Sequence, residues 1–446
     1  MTLMRLLIAF IYFFSYGIQV KAQESKDRAT IAHVVHMGQS LASGDDSYPI
    51  ISSIDTGGGN LRFECGPHTW MENEANPEDR INACFDLVPL TQTGRGGRGE
   101  TIGNGLADTL RPALDPDTRI LFSYAGEGSK RLRELDFHDE ATDPRALYPT
   151  RGGYYRTNID DVKRAMVSAE ARGWNYKVLA LTWMQGEKNG DLRISDWDTP
   201  KKLDAFTDAY ANDLINLKNK FNQDISLITG QTERVRMFSY QTSLALSGQA
   251  QLIASDRDPE IIIIGPTYQM ERADSYSVNG RFGNYQHLTS DSQRWLGAQF
   301  AKVMRRVLVK SEVWQPLKPI SAHLANDRKV IILHYHVPNP PLVVDTTFVP
   351  QQEDFGFNIA GGPAIKKALV VGTDTLELTL ATPLPVGEFF IGYTADQLYA
   401  GRLPIGNIRD SDSEKSNYIF QNGSRRGMRY PMWNWSVAFQ RLKINE

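Results

Sequence analysis

Cysteine is nearly absent from this chain: Cys65 and Cys84 are the only two in 446 residues. Two thiols cannot build a disulfide scaffold or a cysteine-based zinc site, and His68 alone does not complete a ligand set. A bias in charge is missing as well, with 49 Lys and Arg against 52 Asp and Glu. No basic block stands out, so nucleic acid is not expected as a partner. Beyond residue 22 there is no long apolar run, which excludes an integral membrane span from the remainder. No internal repeat or low-complexity segment is evident.

The one apolar run lies at the start. Arg5 supplies a positive flank, Leu6 to Val20 an apolar stretch, and Val20-Lys21-Ala22 a small-residue cleavage site before Gln23. This predicts a signal peptide over 1–22 and a secreted or periplasmic protein, with an uncleaved anchor as the alternative. Export would place Cys65 and Cys84 in an oxidising compartment, where they can pair if their Cα atoms come within about 4.4–6.8 Å. The length that remains predicts two domains, 23–313 and 314–446.

Ile31-Ala32-His33-Val34-Val35 is rich in β-branched residues and reads as a strand. Gly38 then permits a tight turn that would present Ser40 at the carboxyl edge of a sheet. The stretch from Gly44 to about Gly103 reads as a long irregular insertion covering the site. Within it Gly94, Gly96 and Gly99 match G-x-G-x-x-G, but no helix opens at Gly94, so a dinucleotide site is not expected.

From Gly103 onward the pattern is regular. Helices are predicted at Leu106–Leu110, Thr157–Arg172, Leu203–Phe221, Ser243–Ser255 and Ser290–Val309. Strands are predicted at Arg119–Tyr124, Tyr176–Met184, Ile225–Thr229 and Ile261–Ile264. Each strand is apolar throughout, as in a parallel sheet covered on both faces. The expected fold class is therefore α/β: a three-layer α/β/α sandwich with a parallel sheet of about five strands. After Trp314 only short β-rich runs follow, which predicts a smaller all-β C-terminal domain. Tyr430, Trp433 and Trp435 read as packing of the terminal segment, ahead of a sugar-stacking platform. His334 and His336 share a strand face but have no third ligand in view.

Ligand sites in parallel sheets lie along the carboxyl edge, and three predicted strands lead there into polar groups. The first leads to Ser40, the third to Gln185-Gly186-Glu187-Lys188-Asn189, and the last, through a loop, to His287. A serine nucleophile needs a base, which His287 can be, and donors around the oxyanion. The backbone N–H of Ser40, the side chain of Gln185 and the N–H of Gly103 are the expected oxyanion hole, with Gly103 preferred to Gly105. The α/β-hydrolase fold does not apply, because position 42 is alanine and Ser40 follows the first strand.

Gly38-Gln39-Ser40, Trp183-Met184-Gln185-Gly186-Glu187 with Asn189, and the late His287 together resemble the SGNH hydrolase superfamily, closest to its sialate O-acetylesterase-like branch. The resemblance implies a Ser40 nucleophile, a His287 base, no metal, no cofactor and O-acetylated sugars as common substrates, with Gln39 and Glu187 in supporting places. Two positions depart from that pattern. Leu41 replaces an asparagine, and Asn284 stands where the branch has an aspartate three residues before the histidine. The reading adopted is a Ser40–His287 dyad with Asn284 as a possible orienter of the imidazole; Glu187, Asp274 and Asp291 stay open as substitute acids.

The function expected from the sequence is a secreted serine esterase that removes acetyl groups from a polysaccharide or glycan. The alternatives are a lipid or polyester esterase of the same fold, and an inactive carbohydrate-binding protein on a hydrolase scaffold.

Overall fold

The computed structural model describes residues 28–69, 84–94, 98–137, 153–190, 200–243, 245–273, 287–394 and 405–446. The signal segment 1–22, Gly96, Asp274 and Asn284 lie outside the described residues.

In the first two thirds of the chain, strands and helices alternate. In order they are β1 (Thr30–Gly38), α1 (Ser40–Ser43), β2 (Leu61–Phe63), β3 (Leu87–Pro89), α2 (Gly103–Leu110), β4 (Thr118–Tyr124), α3 (Leu132–Leu135), α4 (Tyr154–Ala171), β5 (Asn175–Met184), α5 (Glu187–Gly190), α6 (Pro200–Thr229), β6 (Arg236–Gln241), α7 (Ala245–Arg257), β7 (Ile261–Pro266) and α8 (Ser290–Met304). Among the described residues they form one sheet of order β3-β2-β4-β1-β5-β6-β7. The five strands from β4 to β7 in that order are mutually parallel, as the sequence implied. Two short strands from the expected irregular insertion extend the edge, β2 parallel to β4 and β3 antiparallel to β2.

Alternation along the strands explains why they read as continuously apolar. Val34, Phe122, Ala180, Phe238 and Ile262 face a core closed by α2 and α8, while Val35, Leu181, Met237 and Ile261 face one closed by α4, α6 and α7. Both faces are thus removed from water, and each strand needs an apolar residue at every position.

One expected element is corrected. Ile225–Thr229 is not a strand but the last turns of α6, and the fourth parallel strand is Arg236–Gln241. A strand would place Ile225 and Leu227 on one face; instead Ile225 is 1% exposed and Leu227 77%, the phase of the helix continuing from Leu217 and Phe221. The other predicted helices and strands of this unit hold to within a few residues.

The C-terminal part is β-rich, with strands β8 (Lys318–Leu324), β9 (Val330–His336), β10 (Leu342–Val344), β11 (Phe357–Ile359), β12 (Ile365–Val371), β13 (Thr375–Leu380), β14 (Phe390–Tyr393), β15 (Ile408–Asp410), β16 (Lys415–Ile419), β17 (Arg429–Pro431) and β18 (Phe439–Asn445). Most of them belong to a sheet of order β11-β14-β18-β8-β9-β13-β12. The segment 415–432 returns to the α/β unit and closes the outer side of α8. There Phe420, Tyr430 and Met432 share a core with Trp295, Phe300 and Met304, and the indole of Trp295 donates to Pro431 O at 2.7 Å. Tyr430 and Trp435 are buried in these cores, so they pack the terminal segment and offer no sugar platform.

Candidate active site

β1 is the middle strand of its sheet, and its carboxyl end makes a turn that few sequences allow. Gly38 has φ +155°, and a Cβ there would lie 2.1 Å from Met184 O at the end of neighbouring β5. Only glycine lets the two strand ends come so close. Gln39 N then donates to Met184 O at 3.0 Å, and Tyr124, from the end of β4, donates its hydroxyl to Gly38 O and Gln39 O at 3.2 and 3.3 Å. The main chain before Ser40 is therefore held from both sides.

Ser40 opens the one-turn helix α1. Its side chain is almost covered, at 7% residue exposure, yet its hydroxyl makes no hydrogen bond among the described residues. The helix ends on Gly44 in the left-handed region, and a loop follows that runs to β2 at Leu61. Arg98 to Glu100 run alongside this loop: Gly99 N donates to Gly44 O and Glu100 N to Ser47 O.

His287 is brought beside the loop that follows Ser40 by pairing. Arg272 and Leu288 form a bridge, Ala273 N donates to His287 O at 3.0 Å, and Thr289 N donates to Glu271 O at 3.1 Å. Side chains then tie this segment to the Ser40 loop. Ser47 Oγ donates to Leu288 O at 2.7 Å, Ser290 Oγ to Pro49 O at 2.5 Å, and Gln293 Nε2 to Leu41 O at 2.7 Å.

The imidazole itself meets a carboxylate. His287 Nδ1 lies 2.6 Å from Asp46 Oδ2. Asp46 was not among the acids considered from the sequence; of those that were, Asp274 lies outside the described residues, and Glu187 and Asp291 are committed elsewhere. Glu187 is 2% exposed and accepts hydrogen bonds from the hydroxyls of Tyr240 and Thr242, so it holds the end of β6. Asp291 accepts from Gln421 N, Asn422 N and Tyr430 Oη, anchoring the C-terminal segment. The signal that could have found Asp46 is the pair Asp45-Asp46 placed just past the Ser40 turn.

Asp45 is also close. An added Cβ at Gly128, in the loop after β4, would lie 3.1 Å from Asp45 Oδ2 and 3.5 Å from Ser40 Cβ. Burial pushes the Asp45 carboxyl above the usual range, opposed by the Ser43 hydroxyl, His287 and Arg98. Ser43 Oγ donates to it at 2.5 Å, and Arg98 spends Nη2 on Glu127 at 2.5 Å.

The expected oxyanion hole needs two corrections. Gly103 N donates to Thr101 Oγ1 at 3.1 Å, and the glycine seated against Ser40, Gly128, gives its own N–H to Glu127 Oε1 at 2.9 Å. Gln185 is fully buried, and its amide N–H groups already have Asn189 Oδ1 at 2.6 Å and Gln39 Oε1 and Lys130 O at 3.2 Å. With Tyr210 Oη donating to its Oε1 at 2.8 Å, Gln185 organises the loop after β5 and has no spare donor. Gln39 Oε1 also accepts from Lys188 N at 3.1 Å, so Gln39 links the same two loops. The backbone N–H of Ser40 has no acceptor among the described residues and is open to an oxyanion.

Cys65 and Cys84 form a disulfide with Cα atoms 5.7 Å apart. The G-x-G-x-x-G segment has no strand–turn–helix around it: Gly94 and Gly99 lie in loop, and α2 opens only at Gly103. His334 bonds Thr375 Oγ1 at 3.2 Å and has the ring of His323 beside it.

No protein-family model matches the sequence, and no curated protein matches it. Solved structures do. A carbohydrate acetylesterase from Xanthomonas citri superposes with a TM-score of 0.55 at 13% identity, over 92% of this chain and 80% of that one. NanS aligns with a TM-score of 0.41 at 14% identity over 64% of this chain and 99% of its own. A carbohydrate acetylesterase from Sinorhizobium meliloti aligns with a TM-score of 0.30 at 10% identity, over 63% and 100%. The first of these likenesses spans both the α/β and the β-rich parts, and at such identity it is a likeness of fold. The chain has a three-layer α/β/α fold like that of the Xanthomonas citri structure, followed by a β-rich C-terminal unit.

Proposed function

We propose that the chain is an exported serine esterase that removes acetyl, or a similarly short acyl group, from an acylated polysaccharide or glycan. The observation that carries this reading is an unbonded, nearly covered Ser40 hydroxyl at the end of the middle strand, in a loop tied by three hydrogen bonds to the segment bearing His287. The fold likeness to a carbohydrate acetylesterase supports the choice of substrate class. The disulfide supports an oxidising compartment. Among the described residues no helix is long and apolar enough to cross a membrane.

In this reading Ser40 Oγ attacks the ester carbonyl carbon while His287 Nε2 takes its proton, and the oxyanion that forms is met by the Ser40 N–H. Collapse breaks the bond to the sugar oxygen, which leaves with the proton held by His287. Water, deprotonated in turn by His287, then attacks the acyl-enzyme, and the acid departs as Ser40 recovers its proton. Gly128, with no side chain, leaves open the space beside Ser40 on the β4 side, where an added Cβ would lie 3.1 Å from Asp45 Oδ2 and 3.5 Å from Ser40 Cβ. Residues 314–446 brace the catalytic unit through the contacts of segment 415–432 with α8.

The test is acetate release from a panel of acetylated polysaccharides, beside an ester series of rising chain length. The proposal expects turnover of acetyl esters that vanishes in Ser40→Ala. Turnover unchanged in Ser40→Ala would overturn it, and a preference for acyl chains longer than about four carbons would move the substrate to lipid or polyester.

A further inference from the structure

We infer that Asp46 is the positioning acid of this site, so that the nucleophile and the carboxylate behind the base come from one loop. The inference rests on the serine-esterase reading above and adds the residue that reading lacks. A catalytic acid of this kind is recognised by its place against the histidine, not by its place in the sequence.

Three observations converge on Asp46. Its carboxylate lies 2.6 Å from His287 Nδ1, the length of a charge-assisted bond. With Nδ1–H donating there, the Nε2 lone pair is the one left to act as base. Asp46 is also one of seven non-glycine residues with positive φ among the described residues, at +61°. Aspartate tolerates that region better than most residues but still pays strain for it, and such strain concentrates at working sites. The left-handed step turns the loop back, and Ser47, the next residue, fixes the result through its 2.7 Å bond to Leu288 O, beside His287.

The other charged groups near His287 are less suited. Asp45 faces it as well, but accepts the Ser43 hydroxyl and lies towards Arg98, which is itself paired with Glu127. Arg272, on the paired segment, donates to Ser243 Oγ and Thr267 O. The Asp46 side chain is 47% exposed, so replacing it removes a charge without opening a core.

The experiment compares the full chain with Asp46→Asn, Asp46→Gly and Ser40→Ala, using p-nitrophenyl acetate across a pH series. Asparagine and glycine both tolerate the left-handed backbone, so the urea midpoint should hold. Asp46→Asn should lose about 10³–10⁴-fold in kcat with little change in KM. In Asp46→Gly, where some turnover remains, the acidic limb of kcat/KM should move to lower pH, because an imidazolium without its carboxylate gives up its proton more easily. A downfield Nδ1–H proton signal of His287 in acid, lost in Asp46→Asn, reports the same bond without any turnover. Activity within tenfold of wild type, with the acidic limb unmoved, would overturn the assignment. Loss in Ser40→Ala but not in Asp46→Asn removes Asp46 alone, whereas survival in Ser40→Ala removes the serine mechanism itself.

Discussion

The imidazole of His287 and the carboxylate of Asp46 are 241 residues apart in sequence and 2.6 Å apart in space. In the proposed mechanism the base thus leans on the loop that carries its nucleophile, and a displacement of that loop moves both partners of the proton transfer at once. Such a site depends on the stitches that hold the loop down.

Ser47 is the stitch nearest Asp46. Its hydroxyl donates to Leu288 O at 2.7 Å. Ser47→Ala should cost about 1 kcal/mol of stability, the worth of one such bond. The loss in kcat should be larger in proportion, about tenfold or more, since small misplacements are costly in a catalytic pair. Steady-state kinetics beside urea unfolding separates the two effects; equal proportional losses would deny the loop its positioning role.

Two glycines in the site should respond differently to alanine. At Gly38 the added carbon would sit 2.1 Å from Met184 O on a backbone with φ +155°, so the variant should lose on the order of 3 kcal/mol and unfold early in urea. At Gly128 the nearest atoms are 3.1 and 3.5 Å away, so Gly128→Ala should fold normally but crowd Ser40 and lower acetyl-ester turnover about 10–100-fold.

Glu100 gives stability a pH dependence. It is buried, its Oε2 accepts from Ile51 N and Ser52 N, and Oε1 has no partner among the described residues. Burial raises its pKa to about 7, against the bonds from Ser52 and Ile51. A carboxyl whose pKa is raised on folding stabilises fully below its unfolded value, and that contribution is lost as pH climbs through about 7. Relative to Glu100→Gln, wild type should therefore lose about 3 kcal/mol between about pH 4 and 8. Urea unfolding at both ends measures it; a constant difference would contradict the burial argument.

Removing the β-rich unit should not leave a working α/β unit. A chain ending before Trp314 strips Phe420, Tyr430 and Met432 from Trp295, Phe300 and Met304, and leaves the buried Lys302 without Asn434 and Asp412. Such a chain should lack a cooperative thermal transition in circular dichroism. A soluble, cooperative and active fragment would show that residues 314–446 do not brace it.

The sheet was legible because strands buried on two faces need apolar residues at every position, as in Ile261–Ile264. β6 was not, since Ser239, Gln241 and Arg236 dilute its pattern, and Ile225 with Ile228 suggested a strand although their spacing suits the helix they end. The Ser40 turn could be read because Gly38 marks a close approach of backbones. Asp46 was only hinted at, by the Asp45-Asp46 pair just past that turn, because its contact with His287 is tertiary and made to a segment far along the chain. Gly128 was within reach as a neighbour of Ser40, since it follows β4 at the same carboxyl edge, whereas the bond from Gly103 N to Thr101 Oγ1 is not readable from sequence.

The central claim is that acyl transfer passes through a covalent ester on Ser40. Rapid acid quenching during p-nitrophenyl acetate turnover, followed by peptide mass analysis, reads it directly. One acetyl group on the peptide containing Ser40, accumulating further when His287→Ala slows its release, is the expected result. Turnover at full rate with that peptide unmodified, or with the acetyl group on another residue, would contradict it.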